Sequence, residues 1–307
     1  MGDYLLIEAA DGPGGTWHWN TYPGIAVDIP SFSYQFSFEQ SPNWTRSYAR
    51  GSELKAYAEH CVDKYGLRAR IRFNTEVLGA AFDDDARLWR IDTDAGDRIT
   101  ARFLINACGV LTTPQLPDID GVDSFAGVMM HTARWDHSAD LTGKRVAIIG
   151  TGASAVQVIP EIAPIVKQLT VFQRTPIWCF PKADVPLSLT ARRLMRIPGG
   201  KVVQRLISQF YVELTFPLAA QYFTMNPMAK RAAKVGKAYL RREVKDPVVR
   251  DKLTPRYAVG CKRPGFHNGY LSTFSTATTS SWSPSRSRRS PARASSAPTG
   301  QPVMSTR

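Results

Sequence analysis

Residues 144–163, KRVAIIGTGASAVQVIPEIA, decide the fold of this chain. An almost wholly apolar run, typical of a central parallel strand, leads into a G-x-G-x-x-A turn and then a helical pattern. Its glycines allow a tight turn and the close approach of a pyrophosphate, and the helix N-terminus supplies N–H donors. This order predicts a dinucleotide-binding unit with Gly150, Gly152 and Ala155 at the phosphate turn.

The type of dinucleotide follows from the next apolar run, LTVFQRTP at residues 169–176. In such units an acid at the end of the second strand binds the ribose hydroxyl of NAD. Here the run ends in Arg174, whose cation suits the 2′-phosphate of NADP.

A second, less complete unit is predicted at the start of the chain. The run DYLLIE, residues 3–8, has the pattern of a buried parallel strand, and Glu8 stands where an acid can bind a ribose. A first strand, Gly-rich turn and helix should precede it, so we expect the chain to start at the second strand of this unit. In the Gly- and aromatic-rich loop that follows, Trp17 and Trp19 could enclose a flat ring system.

The rest of the chain supplies supporting elements. Residues 52–65 have helical spacing with Ser52 as the expected N-cap. Three strand patterns between residues 71 and 109 predict an antiparallel piece whose last strand returns to the main sheet. Residues 186–252 are helical and basic, which favours a helical insertion whose cationic faces meet water over a surface for nucleic acid or membrane.

Composition limits the function classes. The net charge is +13 over 307 residues, and five Arg with no acid lie in residues 275–307, so +8 belongs to the remainder. That charge suits an anionic cofactor as well as nucleic acid. The four widely spaced cysteines indicate buried free thiols and neither a zinc site nor a disulfide framework. No secretory signal or spanning segment is evident, so a cytoplasmic location is expected.

Between the two units lies FAGVMMHTARWDH, residues 125–137. It resembles the fingerprint F-x-G-x-x-x-H-x-x-x-W-[P/D] of Baeyer–Villiger monooxygenases, within the flavin-containing monooxygenase superfamily. The resemblance extends over GGTWHWNTYPG, FLINACGVLTTPQLP, KRVAIIGTGASAVQ, TVFQRTPIW and GCKRP, from residue 3 to about 274. It implies that the motif residues couple the domains: Phe125, Gly127, His131, Trp135 and Asp136.

The resemblance implies an α/β fold with two Rossmann-like domains, one for FAD and one for NADP, of three-layer ββα character with a helical insertion. It implies an enzyme in which NADPH reduces the flavin and O₂ gives a C4a-peroxyflavin, which converts a ketone to an ester or lactone. Such chemistry needs a cation beside the peroxide and the oxyanion, and an arginine cannot lose its charge. Arg263 matches the essential arginine, and Asp28 matches the acid that positions it near the flavin.

The resemblance also implies the cofactor sites. Lys262, Arg174 and Thr175 match the positions that bind the 2′-phosphate. The remaining expected NADP contacts are Gly150, Thr151, Gly152, Ser154, Ala155 and Gln157, and the expected FAD contacts are Glu8, Gly14, Gly15, Thr16, Trp17, Trp19, Asp28, Tyr34 and Val77.

After Phe274 the sequence departs from the family pattern and becomes a Ser/Arg/Pro-rich tail with too few aliphatic residues to fold. Codons for STATTSSWS read one base out of step are compatible with FNRDNVELV, a strand of the family type. We hypothesise a single-base frameshift near the codon for Phe274, and the alternative is an Arg/Ser tail that binds RNA.

The predicted domains are therefore an incomplete FAD domain (1–140), an NADP domain (141–184 and 253–274), a helical insertion (185–252) and a disordered tail (275–307). With both edges of the flavin domain missing, the chain is expected to hold FAD poorly. Two further functions stay open, a monooxygenase that oxygenates nitrogen or sulfur and a non-catalytic remnant that at most binds NADPH. The predicted partners are a ketone and O₂, with no nucleic acid and no metal, and the oligomeric state and the particular substrate are undetermined.

Overall fold

Two compact units make up the chain in a computed structural model that describes residues 3–219, 227–275 and 278–281. Unit 1 holds the described residues up to Trp19 together with Leu54–Pro114, and unit 2 holds Asn20–Glu53 and the described residues from Gln115 onward. This division differs from the predicted boundary at residue 140, since residues 20–53 and 115–140 pack with the second unit.

Unit 1 contains one short parallel pair and one antiparallel sheet. Its elements are β1 (Leu6–Ile7), α1 (Thr16–Trp19), α2 (Gly51–Lys64, which starts in unit 2), β2 (Ile71–Arg72), β3 (Val77–Asp83), β4 (Leu88–Thr93) and β5 (Arg98–Ala101). Strands β1 and β2 pair in parallel, and β3, β4 and β5 form the predicted antiparallel piece in that order.

Four sequence predictions in unit 1 were wrong in detail. The first strand is not buried, because Leu5 and Leu6 are exposed. The Gly- and Trp-rich loop contains the helical turn α1. Helix α2 begins at Gly51, so Ser52 lies inside its first turn and is not the N-cap. The last antiparallel strand ends at Ala101, and the apolar residues from Phe103 to Ile105 lie outside any strand.

Unit 2 is built on a parallel sheet with helices. In chain order it comprises β6 (Arg145–Ile149), α3 (Ala153–Ile162), β7 (Gln168–Gln173), β8 (Cys179–Phe180), α4 (Leu189–Leu194), α5 (Gly200–Ala219), α6 (Pro227–Glu243), α7 (Pro247–Leu253), β9 (Gly265–Phe266), α8 (Tyr270–Thr273) and β10 (Thr278–Ser281). Strands β6 and β7 pair in parallel with Arg145 opposite Gln168, which confirms the predicted strand–turn–helix–strand order. Helices α4 to α7 confirm the predicted helical insertion.

Two further predictions were wrong in this sheet. Strand β6 was expected to be central, but the described strands run in the order β10-β7-β6, which leaves β6 at an edge with Ile149 exposed. The tail was expected to be disordered, yet Thr278–Ser281 pairs in parallel with residues 170–173 of β7. The rest of that predicted tail, residues 276–277 and 282–307, lies outside the described residues.

The hydrophobic core of unit 2 joins buried side chains of α3, β7, α6 and α8. In α3, the consecutive residues 155–159 and Ile162 are all buried, so this helix is enclosed on nearly every side. The core cluster consists of Tyr22, Ala155, Val156, Val158, Ile159, Ile162, Leu169, Val171, Cys179, Tyr239, Leu240, Val244, Leu253, Tyr270, Leu271 and Phe274.

The cysteines and the long helices complete the comparison with the sequence. Cys61 and Cys179 are buried free thiols, whereas Cys108 and Cys261 are exposed, so the expectation of burial holds for two of the four. Burial raises the pKa of the Cys179 thiol to about 12. Within the described ranges, no helix has the length and apolar character needed to cross a bilayer.

Candidate functional site

The predicted phosphate turn between β6 and α3 has two glycines in an open backbone that leads directly into a helix. Gly150 adopts a φ of 112°, a region that favours glycine, and its amide donates to the Phe172 carbonyl at 2.8 Å. Gly152 is the extended N-cap of α3, and a Cβ at either glycine would meet open space. The Thr151 hydroxyl donates to the Thr175 carbonyl at 3.2 Å, which ties the turn to the end of β7.

Lys262 is brought to the end of β7 by Tyr257. Its ammonium lies 5.2 Å from the centre of the Tyr257 ring, and the Tyr257 hydroxyl donates to the Pro176 carbonyl at 2.9 Å. Pro176 directly follows Arg174 and Thr175, and both Arg174 and Lys262 are exposed. The predicted 2′-phosphate residues therefore belong to one neighbourhood of unit 2.

Asp28 and Arg263, 235 residues apart, form an ion pair. The Arg263 Nη2 donates to the Asp28 Oδ2 at 2.8 Å. The Asp28 side chain is 18% exposed and that of Arg263 is 70% exposed. The pair thus fixes one edge of a guanidinium whose remaining surface faces outward.

Gln157 holds the loop that carries Asp28. Its Oε1 accepts from the Tyr22 hydroxyl at 3.0 Å and from the Ala26 amide at 3.4 Å. Its Nε2 donates to the Ala26 carbonyl at 2.8 Å and to Asp28 Oδ1 at 3.4 Å. All four hydrogen-bonding positions of this buried amide are used. In this structure the Gln157 side chain is engaged by the Asp28 loop, and its predicted contact with the nucleotide stays a prediction.

Gly24 allows this loop to lie directly on α3. Its φ is +80°, and a Cβ there would come within 2.7 Å of the Gln157 carbonyl oxygen and of Glu161 Cγ. The close approach of loop and helix explains why residues 20–53 pack with unit 2.

Lys182 is a buried cation whose side chain contacts the same loop, and it was not among the predicted site residues. Its side chain donates to the Val27 carbonyl at 2.6 Å and lies 4.7 Å from the centre of the Tyr48 ring. Burial lowers the pKa of Lys182, while the charges of Asp28 and Asp184 act in the opposite sense. The only sequence signal is a charged residue that directly follows the apolar run IWCFP.

Asn268 links Lys182 to the segment that carries Arg263. The Lys182 amide donates to Asn268 Oδ1 at 2.8 Å, and Asn268 Nδ2 donates back to the Lys182 carbonyl at 2.9 Å. Beside it, His267 Nδ1 accepts from the Gly269 amide at 3.0 Å. Burial, with Lys182 and Arg50 nearby, lowers the pKa of His267 to about 4. Lys182 thus contacts both segments of the ion pair. Its side chain bonds to Val27, next to Asp28, and its backbone bonds to Asn268, in the segment that follows Arg263.

The motif at residues 125–137 forms turns in unit 2. His131 Nδ1 accepts from the Ala133 amide at 3.0 Å, which caps the short 3-10 helix Thr132–Arg134. Asp136 Oδ1 accepts from the Ser138 amide and hydroxyl, and these bonds lower the pKa of Asp136. Phe125 is exposed, and its ring covers the Gly127 Cα so closely that a Cβ would lie 2.7 Å away. Trp135 packs against the core cluster.

The predicted flavin residues divide between the units. In unit 1, Glu8 follows β1 and its side chain accepts from the Ala10 amide at 2.9 Å. Gly14 and Gly15 have positive φ values of 123° and 52° and start α1, which contains Thr16, Trp17 and Trp19. Val77 is the first residue of β3. Asp28 and Tyr34 belong to unit 2, where Tyr34 is 40% exposed.

The chain matches a known family of nucleotide-binding proteins. Residues 26–212 match the family model described as pyridine nucleotide-disulphide oxidoreductase. The chain is 43% identical over 263 residues to a Baeyer–Villiger monooxygenase of Streptomyces coelicolor, covering 85% of this chain and 50% of the relative. It is 40% identical over 275 residues to a Baeyer–Villiger monooxygenase of Pseudomonas aeruginosa, covering 90% and 52%. The chain therefore spans about half the length of the curated relatives it matches.

Two solved structures of monooxygenases are also similar to this chain. A steroid monooxygenase bound to NADP is similar with a TM-score of 0.78 at 34% identity, covering 91% of this chain and 60% of that one. Cyclohexanone monooxygenase with bound ε-caprolactone is similar with a TM-score of 0.79 at 29% identity, covering 91% and 61%.

Proposed function

Because this chain belongs to the pyridine nucleotide-disulphide oxidoreductase family, we propose that it acts in a flavin-dependent monooxygenase of Baeyer–Villiger type. The reaction takes a ketone, O₂, NADPH and a proton, and yields an ester or lactone, NADP⁺ and water. The observation that carries the proposal is the ion pair of Asp28 and Arg263.

The residues fit NADPH. Gly150 and Gly152 leave open space at the start of α3, whose N-terminus favours a pyrophosphate. The exposed cations Arg174 and Lys262 would hold the 2′-phosphate, and the Thr175 carbonyl accepts from the Thr151 hydroxyl of the turn. In unit 1, the carboxylate of Glu8 would bind the ribose of FAD, and α1 would contribute two indole rings to the flavin.

The flavin, when bound, would take electrons from NADPH and use them to activate O₂. Arg263 would place a permanent cation beside the ketone oxygen, which becomes an oxyanion when oxygen adds to the carbonyl carbon. Asp28 holds that cation in place without covering its outer face. Gln157 keeps the Asp28 loop on α3 and so positions the carboxylate.

The experiment is to supply the purified chain with FAD and NADPH and to assay ketones for ester or lactone by mass. Arg263→Ala should lower the rate at least about 100-fold, because it removes a transition-state cation. Arg256→Ala is the matched control, since Arg256 is exposed and pairs only with the exposed Asp251 in the described chain.

Other outcomes distinguish the alternatives. Oxygenation of amines or sulfides without ketone conversion would favour the nitrogen- or sulfur-oxygenating monooxygenase. A colourless protein that binds NADPH but shows no oxygenation with added FAD would favour the non-catalytic remnant. We also propose a cytoplasmic location, which cell fractionation tests.

A further inference from the structure

Helix α5 turns its apolar side outward. Five side chains at helical spacing form a stripe, which we call the α5 apolar face: Val203, Leu206, Ile207, Phe210 and Leu214. They are between 56% and 71% exposed. Burying one such side chain stabilises a complex by about 1.5–3 kcal/mol, so a contiguous exposed stripe of this kind marks an interaction surface.

The opposite side of α5 already has its partners. Ser208 is buried and its hydroxyl lies 2.6 Å from that of Ser33. Arg205 donates to the Gln35 carbonyl at 3.1 Å. Since polar groups fix this helix to unit 2, rotating it to hide the apolar face would break both contacts.

Two neighbouring segments add exposed apolar groups. Leu194 and Ile197 from the end of α4 are exposed, and beside them a cavity of about 480 Å³ opens between α4 and α5. In the segment that follows Gln35, Phe36 and Phe38 stack with ring centres 5.1 Å apart and are also exposed. They follow Gln35, which holds Arg205.

The helical insertion that carries the α5 apolar face is strongly basic, and this charge favours an anionic partner. Residues 188–243 contain eleven Lys and Arg against two Glu, a net charge of +9. Two copies of this basic surface would repel each other. A nucleic acid would bind the cations through its phosphates but would not bury the apolar stripe. An apolar stripe among cations is the combination that seats a helix at the surface of an anionic bilayer, with its side chains among the acyl chains and its cations near the headgroups.

We propose that the α5 apolar face docks on anionic phospholipid membranes, with α5 lying in the plane of the surface. The basic residues of α4 and α6 provide the attraction, and the apolar face provides the depth of insertion. This proposal is independent of the monooxygenase reaction.

The test is co-sedimentation of the purified chain with vesicles of phosphatidylcholine containing 30% phosphatidylserine, and with vesicles of phosphatidylcholine alone. We expect binding to the anionic vesicles, weakened by added salt, and at least tenfold weaker binding to the neutral ones. Phe210→Ser and Ile207→Glu should each lower the affinity for anionic vesicles about tenfold or more.

Val248→Glu is the matched control, because Val248 is an equally exposed apolar residue on α7. It should bind vesicles within about threefold of the unchanged protein. Circular dichroism confirms that each variant is folded, and Phe210→Ser separates loss of apolar contact from the added charge of Ile207→Glu. Equal binding by all variants, equal binding to neutral vesicles, or a dimer in light scattering that Phe210→Ser dissociates would each overturn the proposal.

Discussion

The ammonium of Lys182 is buried, and burying a charge lowers stability unless hydrogen bonds or opposite charges compensate. Desolvation opposes the charge, while the Val27 carbonyl, the Tyr48 ring and the nearby carboxylates of Asp28 and Asp184 favour it. Replacing a buried ion by an apolar group of similar size can be neutral or even stabilising. The balance here depends on Val27, whose carbonyl oxygen would be left buried without its donor.

We expect Lys182→Met to lower the free energy of unfolding by about 1–3 kcal/mol, the cost of an unpaired buried acceptor. Urea denaturation at pH 7 measures it. Lys237→Met, which changes an exposed lysine of α6, should stay within about 0.5 kcal/mol. A Lys182→Met variant as stable as the unchanged protein would mean that desolvation outweighs the hydrogen bond.

His267 makes stability depend on pH. Its pKa is about 4 in the folded protein, against about 6.5 in an unfolded chain. Between these values the unfolded state binds a proton that the folded state does not, so stability falls as pH falls from about 6.5 to 4. Protonation at Nδ1 would also turn the acceptor of the Gly269 amide into a donor.

We expect His267→Asn to flatten this dependence by on the order of 1–2 kcal/mol between pH 7 and pH 4.5, allowing for the partial exposure of the ring. Asn is chosen because its Oδ1 can replace Nδ1 as the acceptor. Urea midpoints measured in steps of half a pH unit give the slope. Parallel slopes for both proteins would assign the pH dependence to the carboxylates instead.

At the scale of elements, the contact between the Gly24 loop and α3 can be tested by adding one methyl group. We expect Gly24→Ala to lower the free energy of unfolding by about 2–4 kcal/mol, because a positive φ and a clash with the Gln157 carbonyl act together. Gly143→Ala is the control, since Gly143 has a φ of +67° but open space around it. It should cost about 1 kcal/mol from backbone strain alone. Equal losses in thermal or urea unfolding would show that the loop moves off the helix freely.

The elements also show how far the sequence determines the fold. The order β6–turn–α3–β7 was predictable because period, glycine spacing and apolar runs are local signals. That β6 pairs with a single neighbour among the described strands was not predictable, because an apolar strand looks the same whether one or two neighbours pair with it. Strand β10 was missed for a related reason, since TTSS has little to bury and takes its place through backbone bonds to β7.

For the site residues too, local sequence signals were predictable and contacts between distant segments were not. The pairing of Asp28 with Arg263 was expected only through resemblance to a family, since nothing local links residues 235 apart. The bonds from Gln157 to the Asp28 loop were not predicted, because its position near the phosphate turn says nothing of the loop that packs against it. Lys182 was missed because a lysine near a proline reads as a surface residue until its burial is seen.

At the scale of the whole molecule, the two units differ in how much apolar surface they bury. The large core cluster lies entirely in unit 2. Among the described residues of unit 1, the buried apolar side chains are Ala10, Leu54, Cys61, Val62 and Ile91. Buried apolar area is the main source of resistance to opening, so the units should open with different free energies.

Hydrogen–deuterium exchange read by mass spectrometry tests this difference and the nucleotide site together. We expect amides of β3, β4 and β5 to exchange faster than those of α3 and β7, because the antiparallel sheet has Ile91 as its buried apolar side chain. NADP⁺ at 100 times its dissociation constant should raise the free energy of global opening of unit 2 by about 2.7 kcal/mol, which slows exchange there. The opening free energy of unit 1 should stay unchanged. Arg174→Ala should weaken that protection, whereas Arg256→Ala should not. Uniform protection of both units by NADP⁺ would contradict this expectation, since it would mean that the units unfold as a single cooperative body.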